Sequence, residues 1–274
     1  MALRSGAAMP VLGLGTWRMG ERRDRREREV AALKAGIELG VTLIDTAEMY
    51  GEGEAEKIVG EAIAGRREQM FLVSKVYPHN ASRRGAVAAC KRSLKRLGTD
   101  HIDLYLLHWR GDVPLAETVA AFRALQADGS IGAWGVSNFD SSDIEELLAL
   151  RGGDECAANQ VLYNLDARGA EWDLVPLCHG ARIALMAYSP LDHGRLLQEH
   201  ALQVMAAKIG ATPAQIALAW LLQQPDVAVI PKAADIAHVH DNLSAANLQL
   251  DRAVCEALDR AFPPPRRATS LRML

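Results

Sequence analysis

The chain has 274 residues, 49% of them apolar and 24% charged, with a formal net charge of −3. These proportions suit a folded globular protein; they exclude a disordered or fibrous chain and offer no basic field for nucleic acid or an anionic membrane. The four cysteines (Cys90, Cys156, Cys178, Cys255) include no C-x-x-C pair, which argues for reduced thiols and against a structural zinc site. No stretch approaches the roughly 18 unbroken apolar residues of a membrane span, and the N-terminus lacks a signal-peptide core, so the expected compartment is the cytoplasm.

In chain order, the opening "LRSGAAMPVLGLG" reads as a small hairpin set before a first strand at 11–16. The run "ERRDRRERE" (21–29) alternates in sign and reads as the solvated, salt-bridged start of a helix over 27–39. A strand at 42–46 precedes a helix at 54–65, where Ala55, Ile58, Val59, Ala62 and Ile63 share one face. A strand at 70–75 leads to a helix at 83–97, with Val87, Cys90, Leu94 and Leu97 on its apolar side. The pattern repeats as strand 102–108 and helix 114–127, strand 131–137 and helix 140–150, then strand 157–163 and helix 169–180. Strand 183–189 is followed by an extra helix at 198–209 before its partner at 213–224; Pro114 and Pro213 suit first helical turns. Strand 227–231, helix 234–246 and a terminal helix at 251–261 complete the series, ahead of a stiff "PPPRR" tail.

Strand and helix thus alternate eight times, and continuous apolar strands joined through helices indicate a parallel sheet covered on both faces. Eight units in about 250 residues match a closed (β/α)₈ TIM barrel, an α/β fold forming one domain over 1–274, with the N-terminal hairpin plugging one end and extra helices toward the C-terminus. An open doubly wound sheet is disfavoured: its dinucleotide fingerprint G-x-G-x-x-G fails at "GLGTWRMG", where Gly13 and Gly15 are followed by Trp17 and Arg18.

Active sites of such barrels lie where the strands end. That rule gathers Asp45, Tyr50, Lys75 and His108, from the ends of three successive strands, on one rim. Each has an ordinary structural reading alone, but a lysine and an aspartate ending buried strands are costly unless paired. Once paired, the ammonium of Lys75 is expected to lower the phenol pKa of Tyr50 from about 10, making it a general acid. Asp45 would hold Lys75, and His108 would hydrogen-bond a substrate oxygen. A set that protonates an oxygen as charge develops on it suits carbonyl reduction.

"DTAEMYGEGEAE", "VSK" and "LLH", in this order and spacing, resemble the aldo-keto reductase family, from about Met9 to Phe262, and within it the bacterial reductases of small aldehydes and methylglyoxal. The resemblance implies an oxidoreductase that reduces aldehydes and ketones with extended NADPH on a (β/α)₈ barrel, acting as a monomer on small carbonyl compounds. It assigns Asp45, Tyr50, Lys75 and His108 to catalysis, with Asp45 also beside the cofactor. It places Thr16 and Trp17 by the nicotinamide ribose, and Ser137, Asn138 and Gln160 on the carboxamide. Tyr188 would stack on the ring, Ser189 and Leu191 would meet the pyrophosphate, and Lys232, His238 and Asn242 the adenosine end. Trp17, Tyr77 and Trp109 are implied for the substrate pocket, and the short chain after Asp251 for an open one. One departure stands out: Ala233 and His238 occupy positions where NADPH-committed members often carry Ser or Thr and Arg, so dual use of NADH is left open. His238 and His240 point to different sides of a helix, and no metal is expected. Two rival activities are a Schiff-base aldolase using Lys75, which Asp45 would oppose by keeping the amine charged, and a non-catalytic cofactor-sensing subunit.

Overall fold

A computed structural model describes all residues from Met1 to Leu274. Eight strands form one sheet in sequence order, every neighbouring pair parallel: β1 (Gly13–Gly15), β2 (Leu43–Asp45), β3 (Phe71–Val76), β4 (Ile102–Leu107), β5 (Ile131–Ser137), β6 (Ala158–Leu162), β7 (Ala184–Tyr188) and β8 (Val227–Val229). The sheet curls until its edges meet. Leu12 bridges to Val229 and Gly15 to Lys232, and the Gly15 amide donates to the Pro231 carbonyl at 3.0 Å.

Helices cover the outside: α1 (Arg26–Glu38), α2 (Glu54–Ala62), α3 (Arg83–Leu97), α4 (Leu115–Ala127), α5 (Ser141–Ala149), α6 (Leu174–Ala181), α7 (His200–Ile209), α8 (Pro213–Leu222), α9 (Ile236–Ser244) and α10 (Arg252–Ala261). Their ends follow local chemistry. Ser82 caps α3 and the Thr212–Gln215 box caps α8, whose first residue is the expected proline. The sixth helix begins later than the pattern over 169–180 suggests, because Pro176 fits only a first turn; a separate turn at Gly169–Glu171 takes up the intervening chain. No single helix is long and apolar enough to cross a membrane; α7 and α8 pass that test only together, across an 89° bend.

Strand alternation divides the apolar side chains into two cores. Leu72 and Val76 of β3 face the helices, while Phe71 and Val73 face the barrel axis with Leu43, Leu104, Leu106, Ala158, Met186 and Ala228. Leu3 and Met9 join this inner group from the N-terminal end, where the opening segment closes on itself through an Ala2–Ala8 bridge. It is a plug, as expected, though with one bridge rather than an extended hairpin.

Candidate active site

The same alternation that fills the barrel with apolar groups delivers polar ones to its C-terminal end. Asp45 lies two residues beyond Leu43, Lys75 two beyond Val73, His108 two beyond Leu106, Gln160 two beyond Ala158 and Tyr188 two beyond Met186. All therefore take the inward parity, one layer above the core.

Lys75 is fully buried; its Nζ donates to Asp45 Oδ2 at 2.8 Å, to the Thr46 carbonyl at 2.8 Å and to Tyr50 Oη at 3.3 Å. The other carboxylate oxygen of Asp45 accepts from Gln160 Nε2 at 2.7 Å. The His108 ring meets the Tyr50 ring edge-on at 5.7 Å between centroids. Because the phenol oxygen accepts from Lys75, its own hydrogen is left to donate elsewhere, and Tyr50 keeps part of its surface in the cleft.

Tyr50 enters the site through a turn of uncommon shape. Gly51, Glu52 and Gly53 have φ of 54°, 56° and 90°, in the left-handed region that only glycine occupies freely. A Cβ on Gly53 would lie 2.6 Å from Cδ of Arg96, whose Nε donates to buried Glu56 at 2.5 Å, while Ser74 Oγ donates to the same carboxylate at 2.6 Å. The turn carrying the phenol thus rests on a buried ion pair that joins α2, α3 and the outer side of β3.

Burial governs the proton affinities. It holds the Tyr50 phenol well above its ordinary value, and the Asp45 carboxylate pushes in the same direction. This overturns the expected lowering: the ammonium is close, but loss of water outweighs it. Burial also depresses Lys75, opposed by Asp45, and holds His108 well below the usual imidazole value, with the Lys75 charge second. At neutral pH His108 is an uncharged imidazole and Tyr50 an intact phenol.

From this centre a cleft of about 530 Å³ runs across the barrel mouth toward β8 and α9. Tyr50, His108, Trp109 and Trp17 line its inner part, beside Ser137, Asn138, Gln160 and Tyr188. Asn138, at φ 59°, donates from Nδ2 to the His108 carbonyl at 3.1 Å and accepts the Tyr188 hydroxyl at 2.8 Å, which fixes the Tyr188 ring. Ser189 and Leu191 follow along one wall, and the far end carries Lys232, His238 and Asn242.

Two assigned residues stand elsewhere. Thr16 is fully buried, its hydroxyl spent on the Asp45 carbonyl at 2.9 Å, so it supports the site from below without reaching the cleft. Tyr77 follows the end of β3, where its amide donates to buried Glu48 at 2.9 Å and its ring packs edge-on to Trp109 at 5.6 Å; it backs the tryptophan instead of lining the pocket. The short chain after Asp251 does reach the cleft: Leu274 lines it, and the tail leading there is tied by Arg272, which donates to Asp166 at 2.9 Å. Sequence reasoning passes over Met49, Arg18 and His193 at the cleft. The His193 ring meets Trp17 at a tilt of 45°, 4.8 Å between centroids, and Arg18 covers the same ring at 4.4 Å, so loops after β1 and β7 meet over the mouth.

At the C-terminal mouth of this parallel barrel an aspartate, a tyrosine, a lysine and a histidine converge, and the aldo/keto reductase family model matches residues 11–262: the chain belongs to the aldo/keto reductase family and is an oxidoreductase. Among curated relatives, methylglyoxal reductase YeaE of Escherichia coli K12 is 52% identical, across 97% of this chain and 96% of its own length. Glyoxal reductase of Bacillus subtilis is 34% identical over 94% of this chain and 90% of its own. An aldo-keto reductase from Klebsiella pneumoniae, solved in complex with NADPH, superposes with a TM-score of 0.96 at 50% identity, covering 99% of this chain and 98% of that one.

Proposed function

We propose that the protein reduces small aldehydes, ketones and dicarbonyls of the methylglyoxal type with NADPH, using Tyr50 as the general acid. One observation carries this reading: a phenol that accepts a hydrogen bond from a buried, carboxylate-held ammonium stands at the inner end of the cleft beside an uncharged imidazole.

The donor set fits a nicotinamide dinucleotide. Amide and hydroxyl groups of Ser137, Asn138 and Gln160 surround the catalytic end and suit a carboxamide, Tyr188 offers an aromatic face, and Lys232 and His238 suit phosphate at the distal end. When bound, NADPH supplies a hydride to the carbonyl carbon. The protein's part is to orient the carbonyl between Tyr50 and His108, to exclude water with Trp17 and Trp109, and to hold a proton on Tyr50 Oη until the carbonyl oxygen gains negative charge. An alkoxide is basic enough to take a proton from a phenol of raised pKa, and the Lys75 ammonium then faces the phenolate left behind. The neutral His108 can donate to the same oxygen without adding charge to a site already holding Lys75.

Support for the carbonyl class comes from the methylglyoxal and glyoxal reductases among the relatives, and for the cofactor from the Klebsiella complex. Lys75 is covered by Tyr50 and is no wall of the cleft, which leaves a Schiff-base aldolase without an accessible amine. We also take the protein to be a cytoplasmic monomer, to be checked by sedimentation. The test of function is NADPH oxidation with methylglyoxal and a panel of small aldehydes. Turnover of several supports the reading; no turnover with intact NADPH binding would identify a cofactor sensor.

A further inference from the structure

Glu48 is a buried carboxylate that the proposed reaction does not use, although it lies between Asp45 and Tyr50 in the chain. Its side chain is 6% exposed and takes no part in the cleft wall. Oε1 accepts from the Tyr77 amide at 2.9 Å and from Asn80 Nδ2 at 3.0 Å, and Arg92 of α3 donates to Oε2 at 3.4 Å. The Glu48 amide donates in turn to the Lys75 carbonyl at 3.3 Å. One residue therefore joins the turn that brings Met49 and Tyr50 into the cleft to the loop that leaves β3. Two donors converging on one carboxylate oxygen hold that loop at a fixed distance from the turn.

The loop from Tyr77 to Asn80 is the backing of Trp109. The Tyr77 ring meets the indole edge-on at 5.6 Å between centroids, and His79 packs on Tyr77 at 4.7 Å. Gly111, two residues past Trp109, approaches Pro78 so closely that a Cβ there would lie 2.5 Å from the proline Cβ. The segment bearing Trp109 is thus docked at two points on a loop that Glu48 holds. Trp109 lines the inner cleft with Met49, Tyr50 and His108, and its indole packs at 5.0 Å against the His108 ring. Close-packed groups transmit a displacement to their neighbours, so a shift of the loop would move Trp109 relative to Met49 and Tyr50, which ride on their own turn.

We propose that Glu48 is a positioning residue for substrate selectivity: by anchoring the Tyr77–Asn80 loop behind Trp109 it keeps the space before Tyr50 and His108 narrow, which favours small carbonyl compounds over aryl aldehydes. The proposal rests on the carbonyl-reductase reading and deepens it. Glu48 touches neither the reacting carbonyl nor the cofactor in this arrangement; it acts through Tyr77 and Trp109.

The test compares Glu48→Ala, Glu48→Gln and Asn80→Ala with the parent enzyme. Steady-state kinetics are measured with methylglyoxal and with benzaldehyde, beside acrylamide quenching of each protein with and without Trp109→Phe, the difference reporting on Trp109. In Glu48→Ala the ratio of kcat/KM for methylglyoxal to that for benzaldehyde should fall by about 10-fold, the worth of roughly one methylene of fit in a small pocket. KM for NADPH should stay within about twofold, and Trp109 should become more accessible to acrylamide. Glu48→Gln keeps an oxygen for both donors and should keep the parent's ratio. Asn80→Ala takes away one of the two donors and should lower the ratio by about 3-fold, so the anchor is tested even if Glu48→Ala fails to fold. Equal losses with the two aldehydes, an unchanged ratio in Asn80→Ala, or a Glu48→Gln that behaves like Glu48→Ala would each overturn the proposal. If the parent reduces no carbonyl compound, the reductase reading fails, and the quenching alone then decides whether Glu48 holds Trp109 in place.

Discussion

Replacing Asp45 by Asn removes one charge and almost no volume, at a position where both carboxylate oxygens are committed. Oδ2 takes Lys75 Nζ at 2.8 Å and Oδ1 takes Gln160 Nε2 at 2.7 Å. An amide has one oxygen, so one of the two donors must face an NH₂ group. Losing a hydrogen bond to a buried charged group costs about 1.5–3 kcal/mol. Lys75 also loses the influence that opposes burial, so its pKa, already lowered, falls further and the amine gives up its proton nearer neutrality. A cation 3.3 Å from the phenol oxygen is worth about 5 kcal/mol at an effective dielectric of about 20. Losing half of that stabilisation of a developing phenolate corresponds to about a 70-fold fall in kcat. The assay is kcat against pH with NADPH and a small aldehyde, beside thermal unfolding. The ammonium is present only below the Lys75 pKa, so the alkaline limb of the variant's profile should move to lower pH. A kcat within about twofold of the parent, with an unmoved alkaline limb, would refute the assigned coupling of Asp45 to Lys75 and Tyr50.

Two further variants probe the support of the site. Gly53→Ala should lose about 1–2 kcal/mol of stability from its left-handed backbone and also lower kcat, because its methyl group would displace Arg96 beneath the Tyr50 turn; Gly65→Ala, at φ 76° with nothing within 4 Å, should show the stability loss without the kinetic one. Equal kcat in the two variants would detach Arg96 from the turn. His108 titrates well below 6.5 in the folded chain, so between that folded value and 6.5 the unfolded chain binds the extra proton and stability falls as pH falls, by up to about 1.4 kcal/mol per pH unit. In His108→Gln the melting temperature should fall less steeply with acid than in the parent; parallel slopes would mean that His108 is charged in the fold.

The barrel and three of the four candidate catalytic residues are legible in the sequence because they rest on period-two alternation, whereas Tyr50 arrives on the turn after β2. Once Leu43, Val73 and Leu106 are read as facing the axis, Asp45, Lys75 and His108 must follow them inward. Tyr77 has the same parity and departs from it because β3 ends at Val76 and Glu48 captures the next amide, a contact between loops that no periodicity announces. Thr16 does lie near Asp45, but its hydroxyl joins its own amide on the Asp45 carbonyl, a direction that the strand pattern does not announce. The joining of Arg18, Trp17 and His193 over the mouth, and the tie of Arg272 to Asp166 that brings Leu274 to the cleft, connect loop and tail segments far apart in the chain. The raised phenol pKa escapes a sequence reading for a different reason: the spacing implies that Lys75 is close, whereas the loss of water around both groups is a property of the packed barrel.

The most direct measurement is made on Tyr50→Phe: fluorescence titration with NADPH, followed by single-turnover hydride transfer to methylglyoxal. Removing the proton donor while keeping the ring should leave NADPH affinity within about twofold and slow transfer by at least about 100-fold, as for a lost general acid. Transfer at close to the parent rate would show that another group protonates the carbonyl oxygen and would contradict the general-acid role of Tyr50 and its buried ammonium.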